Sequence, residues 1–142
     1  MKYISDSTEK TISYAKEFAS KLLGGEVIFL IGELGAGKTH FTKGVAKALG
    51  IKMNEVVSPT FIVLKELAGE KLNLIHLDLY RIDEFDKLGF DINEFVDSRN
   101  VMLIEWADKF EDELPTADYI VHFSYGEGED ERIINIENKD ND

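Results

Sequence analysis

The sequence contains no cysteine, which removes disulfide frameworks, zinc–thiolate sites, iron–sulfur clusters and thiol nucleophiles from consideration. No apolar run approaches the roughly 20 residues that span a bilayer. The first ten residues are polar, unlike a charged stub leading into an apolar stretch. The expectation is a soluble, cytoplasmic chain with no membrane partner. Proline occurs only at Pro59 and Pro115, and there is no internal repeat, low-complexity tract or long linker. Basic residues are also scarce, 16 against 28 acidic ones, for a formal net charge of -12.

What remains is 142 residues, 44% of them apolar, the size of one ordinary domain. Such a chain buries somewhat over about 60% of its unfolded surface, enough for one core without staples. The charge is unevenly spread. Residues 1–50 carry seven basic and five acidic side chains, residues 51–104 six and ten, and residues 105–142 three and thirteen. Non-specific nucleic-acid affinity comes largely from Lys and Arg displacing counterions, so independent DNA or RNA binding is disfavoured. A polyanionic ligand belongs with the first third. The acidic end reads as a solvated face with a tail that frays from about residue 137.

Ser5, Asp6 or Ser7 can cap a first helix, with Ile12, Ala15, Phe18, Ala19, Leu22 and Leu23 on one stripe and Gly24–Gly25 as the stop. Residues 26–31 (EVIFLI) form a short, nearly continuous apolar run, the pattern of a strand covered on both faces. A glycine loop follows, and from Thr39 to Leu49 the apolar positions return at helical spacing. Residues 61–67 and 72–78 read as a hairpin, and residues 83–97 as one or two short helices broken at Gly89. Residues 101–104 (VMLI) are a second covered strand ending at Glu105. Residues 119–125 and 132–136 complete an antiparallel edge hairpin. The expected fold class is α/β: a single domain whose mixed sheet has parallel core strands and helices on both faces.

The segment Gly32-Glu33-Leu34-Gly35-Ala36-Gly37-Lys38-Thr39 matches G-x-x-x-x-G-K-[ST], the phosphate-binding P-loop, which makes the expected α/β fold a single P-loop NTPase domain. Successive backbone N–H groups converge on phosphate oxygens only where glycine lets the chain turn freely and the ligand come close. The following helix offers its unpaired N-terminal donors to the same anion. Lys38 would then reach the outer phosphates and the Thr39 hydroxyl a magnesium ion. A neighbouring strand must end in an acid that holds metal or water, and Asp78 and Glu105 both qualify. Surface placement competes for Glu105 and helix capping for Asp78. Pro59 fixes the chain just before Thr60, which reads either as a nucleotide-sensing switch or as an ordinary loop. Trp106 is equally a packed aromatic or a site residue. His40, His76 and His122 lack metal-ligand spacing and read as structural. The near-match to a guanine-reading N-K-x-D at residues 138–141 ends in Asn, which favours adenine.

In order, GELGAGKTHFTKG, SPTF, HLDLYRID, LGFD with a following EF, and LIEWADK resemble the TsaE (YjeE-like) family of bacterial P-loop ATPases over most of residues 5–125. The resemblance implies a small ATPase using ATP and Mg2+, acting with TsaB and TsaD to make threonylcarbamoyladenosine (t6A) in tRNA, at the adenosine next to the anticodon. It implies contact with tRNA only through that complex. It assigns nucleotide binding to residues 33–40, namely Glu33, Leu34, Gly35, Ala36, Gly37, Lys38, Thr39 and His40. Thr39, Glu105 and Thr60 fall on the metal side, and Glu105, Lys38 and Asp78 are catalytic. Trp106 matches a further position near the nucleotide. Glu33 stands where Asp is frequent, and His40 where a second Thr is usual. Two rivals are a small-molecule kinase, disfavoured by only three arginines and little length for a lid, and a nucleotide-dependent binding module without turnover.

Overall fold

A computed structural model describes residues 1–33, 37–56 and 63–139. The apolar run after Gly25 forms β2 (Val27–Ile31), and residues around the second run form β5 (Asn100–Glu105). These two lie side by side in parallel, Leu30 paired with Glu105. On the far side of β5, β4 (Asn73–Asp78) runs parallel, and β3 (Leu64–Leu67) closes that edge antiparallel to β4. On the far side of β2 comes β6 (Tyr119–Tyr125), also parallel, followed by its hairpin partner β7 (Arg132–Asn138). A strand not anticipated from sequence, β1 (Lys2–Ser5), adds antiparallel to β7 and so lies outside the expected hairpin. The order is β1-β7-β6-β2-β5-β4-β3. It is the mixed α/β sheet with a parallel centre that the covered strand patterns predict.

One face carries both α-helices. The first, α1 (Thr8–Ala19), is capped by Ser7, whose hydroxyl accepts from Lys10 N at 3.2 Å. It stops at Ala19, earlier than Gly24–Gly25 implies, so the expected stripe breaks down at its end. Leu22 is buried but Leu23 is 87% exposed. The second helix, α2 (Lys38–Ala48), packs against α1, and both cover Ile28, Leu30, Leu74, Val101 and Leu103. The opposite face, with Phe29, Ile75, Leu77, Met102 and Ile104, is covered by short 3-10 turns, including Phe85–Leu88 and Ile92–Phe95 on either side of Gly89. Helical cover is therefore present on both faces but unequal in kind. β7 continues to Asn138, and Lys139 N donates to Asp118 O, so regular pairing extends into the stretch that sequence alone reads as tail.

Candidate nucleotide site

Parallel strands end on the same edge of a sheet, so β2, β5 and β4 deliver their C-terminal residues together. Asp78 and Glu105 are direct register partners there. Both project to the face covered by the α-helices, because they continue the alternation Leu74, His76, Asp78 and Val101, Leu103, Glu105. The chain leaves β2 at Ile31 and passes Gly32 and Glu33, and α2 begins at Lys38. Gly37 is the N-cap of α2 with φ +104°, a left-handed conformation that glycine adopts without steric cost. Leu34, Gly35 and Ala36 lie outside the described residues, as does Thr60 with the rest of SPTF.

Lys38 is the first residue of α2 and only 5% exposed. Its Nζ donates to Gly32 O at 2.8 Å and sits 4.2 Å from the centre of the Trp106 ring. Burial pushes its pKa down, while the negative charges of Glu105, Asp78 and Asp108 act in the opposite direction. The ammonium therefore has acids on one side and an aromatic face on another. Thr39, next on the helix, is partly buried. Glu105 is 5% exposed, and its Oε2 meets His76 Nε2 at 2.6 Å. Asp78 Oδ1 accepts from Tyr80 N at 2.9 Å. Burial raises the Asp78 pKa, the Tyr80 amide opposes this, and the nearby Glu105 charge raises it further.

Trp106 has φ +61° and ψ +32°, the one non-glycine residue with positive φ among those described. Such a backbone costs roughly 1–2 kcal/mol for a residue with a side chain. The turn brings the indole beside Lys38 and against Tyr80, with ring centres 5.0 Å apart. Lys109 braces the same corner. Its Nζ donates to the carbonyls of Leu79, Tyr80 and Ile82 at 3.2, 2.9 and 2.7 Å. Sequence reasoning read His76 as structural and did not single out Tyr80 or Lys109. The signal for His76 was the period-2 alternation that puts it on the same face as Asp78.

His40 lines a cavity of about 340 Å³ beside the start of α2. Gly37, Ser7, Thr8 and Thr11 share the wall, and Arg132 faces them from β7. The His40 Nδ1 is buried without a hydrogen-bond partner among the described residues. Burial lowers its pKa, Lys43 lowers it further and Glu9 opposes, so the ring tends to neutrality. His122 lies elsewhere, 3.6 Å from Glu137 across the β6–β7 hairpin.

This arrangement has known relatives. The family model described as "Threonylcarbamoyl adenosine biosynthesis protein TsaE" matches residues 5–134. The chain belongs to the TsaE family. Among curated TsaE proteins, one from Bacillus subtilis is 44% identical over 116 residues, covering 81% of this chain and 72% of the relative. The Aquifex aeolicus TsaE is 44% identical over 107 residues, covering 75% and 76%. That of Rickettsia bellii is 34% identical over 139 residues, covering 96% and 94%. A solved structure titled "Crystal structure of Bacillus subtilus YdiB" superposes with a TM-score of 0.78 at 35% identity, covering 96% of this chain and 83% of that one. The TsaE family is named for t6A biosynthesis, so the resemblance carried by the five motifs holds for this chain.

Among the described residues no group of three or more His, Asp or Glu side chains forms a ready metal cage. Magnesium at a nucleotide does not require one, because it is held by one or two protein oxygens together with phosphates and water. The Thr39 hydroxyl and the carboxylates of Glu105 and Asp78 are hard oxygen donors near the start of α2, a set that fits this ion.

Proposed function

We propose that this chain is a magnesium-dependent ATPase that works in the cytoplasm with the TsaB and TsaD proteins. Its role is in t6A modification of tRNA at the adenosine next to the anticodon. ATP binding and hydrolysis drive remodelling or reset of the partner complex. The observation that supports this most is the convergence of Lys38, Asp78 and Glu105 at one end of the parallel strands, beside a glycine N-cap. Positive charge set against the negative charge that develops on the phosphate, and a carboxylate that orients water, are what phosphoryl transfer to water needs from a protein.

Each residue has a role in this reading. The α2 N-terminus and Lys38 bind the phosphates, and Lys38 neutralises charge on the outer one. Thr39 and Glu105 supply oxygen ligands for magnesium, with Thr60 on the same side. When bound, magnesium neutralises phosphate charge. Glu105 orients the attacking water, and Asp78 supports it from the adjacent strand. Leu34, Gly35 and Ala36 complete the cradle, flanked by Glu33 and His40. Trp106 packs against the lysine that binds phosphate. The cavity between His40 and Arg132 takes the nucleoside end, since it opens from the same helix start. A net charge of -12 supports contact with tRNA through partner proteins.

The test is phosphate release by wild type, Lys38→Ala and Glu105→Ala, each alone and with the TsaB–TsaD pair, alongside multiple-turnover tRNA modification. Both variants should lose partner-stimulated release and multiple turnover. Variants matching wild type would sink the proposal. Phosphate appearing on an acceptor molecule would identify a kinase, and background release in both conditions a binding module.

A further inference from the structure

We infer that His76 is a positioning residue for the nucleotide site: it holds the Glu105 carboxylate in one orientation through Oε2 and so leaves Oε1 as the oxygen offered to the nucleotide's metal. The inference rests on the proposed reading of the site as a magnesium-nucleotide site.

Position 76 lies within β4 between Leu74, Ile75, Leu77 and Leu79, all buried and apolar. A polar ring 2% exposed in such a strand carries a desolvation cost unless it is hydrogen-bonded. Its bond is to a carboxylate of a different strand, 29 residues away in sequence, at 2.6 Å. With the carboxylate in its anionic form it can only accept, and His76 Nε2–H is then the donor of this bond. Short contacts of this kind belong to the strong, charge-assisted class.

Strand geometry explains how His76 reaches this carboxylate. Asp78 is the direct register partner of Glu105, and His76 lies one same-face step back, paired with Leu103. The imidazole reaches diagonally to Glu105, whose negative charge also acts on Lys38. Glu has three side-chain torsions, and a buried carboxylate without a donor would swing among several of them. Tethering Oε2 removes that freedom. The bond to His76 engages Oε2 and leaves Oε1 outside it. Carboxylates that ligate metals are typically held by such an outer partner, and its loss weakens metal affinity by roughly 10–100-fold.

The experiment is calorimetric binding of the imido analogue of ATP, which is not hydrolysed, in EDTA and across a magnesium titration. Circular dichroism melts accompany each variant. In His76→Leu, affinity in EDTA should stay within about twofold of wild type while the magnesium midpoint rises roughly tenfold or more. His76→Gln, which keeps a donor near the Nε2 position, should return the midpoint to within about threefold. In a Glu105→Ala background His76→Leu should add no further shift. If His76→Leu does not fold, His76→Asn replaces it, its amide being too short to reach Glu105. An unchanged magnesium midpoint, an equal loss in EDTA and magnesium, or a folded His76→Gln that fails to rescue would each overturn the inference. A wild-type protein that binds no nucleotide in either buffer would overturn the nucleotide reading along with it. Wild-type binding with a flat variant series would overturn the role of His76 alone.

Discussion

Gly44 sits mid-way along α2 where that helix crosses α1, and replacing it with alanine should destabilise the protein although alanine is the better helix former. A Cβ there would lie 2.3 Å from Ile12 O and 2.6 Å from Ala15 Cβ. Carbon contacts are comfortable only near 3.5–4.0 Å, so the helices would have to part by about 1 Å. The nearest obstacle is backbone, which cannot rotate aside as a side-chain end can. Overpacking of this kind costs roughly 1–3 kcal/mol, and the gain in helix propensity offsets about 1 kcal/mol. Because backbone is involved the upper part of the range applies, and the net loss should be about 1–2 kcal/mol. Urea denaturation followed by far-ultraviolet circular dichroism measures this directly. The midpoint should fall with m unchanged, and the melting temperature should drop by roughly 3–8 °C. α2 carries Lys38 and Thr39 at its start, so nucleotide affinity should weaken together with stability. A Gly44→Ala midpoint at or above that of wild type would show that the two helices do not approach this closely.

Glu105→Gln keeps the shape and the neutral hydrogen-bonding capacity of the side chain but loses its charge. Phosphate release should therefore fall by about 100-fold or more, while binding of ATP analogues persists; retained turnover would exclude Glu105 as the water-orienting acid. Asp78 has a folded pKa raised chiefly by burial, so its contribution to stability is fully present below the ordinary carboxylate value and is lost as pH rises through the folded value. Asp78→Asn should thus gain stability relative to wild type between acidic and neutral pH, measured by urea unfolding at about pH 4 and pH 7. An equal difference at both would refute it. Lys109→Met removes three hydrogen bonds to the carbonyls after β4 and should cost about 1–2 kcal/mol in the same unfolding assay; no change would mean that the corner holds without them.

The parallel centre of the sheet was legible because β2 and β5 are covered on both faces, and such strands are written as unbroken apolar runs. The P-loop helix was legible because glycine, lysine and threonine stand at fixed offsets before a helical period. Glu105 could be placed as a strand-end acid for the same reason. β1 was not, since Lys-Tyr-Ile-Ser has neither a long run nor a clear alternation, and its place beside β7 is a tertiary choice. The premature end of α1 was hidden because Leu22 and Leu23 continue the apolar stripe, yet only Leu22 finds a cover. His76 reads from sequence as merely structural because metal spacing is the criterion applied to histidines, and its partner is a carboxylate brought close only by strand pairing. The brace formed by Lys109 depends on the left-handed turn at Trp106, for which the residue type carries no signal.

The pairing of β1 with β7 sets the order in which the molecule can be finished. Lys2 lies opposite Asn135 and Ser5 opposite Arg132, so β1 has no partner until β7 has formed. Closing so long a loop carries a large entropic cost and slows folding. The cavity beside α2 is walled by Ser7 and Thr8 at the start of α1 and by Arg132 from β7, so it is complete only once β7 and β1 have closed on each other. The crossed helices and the parallel strands can form before that step, and the cavity cannot. Whatever occupies it therefore depends on a pairing of two edge strands far apart in sequence.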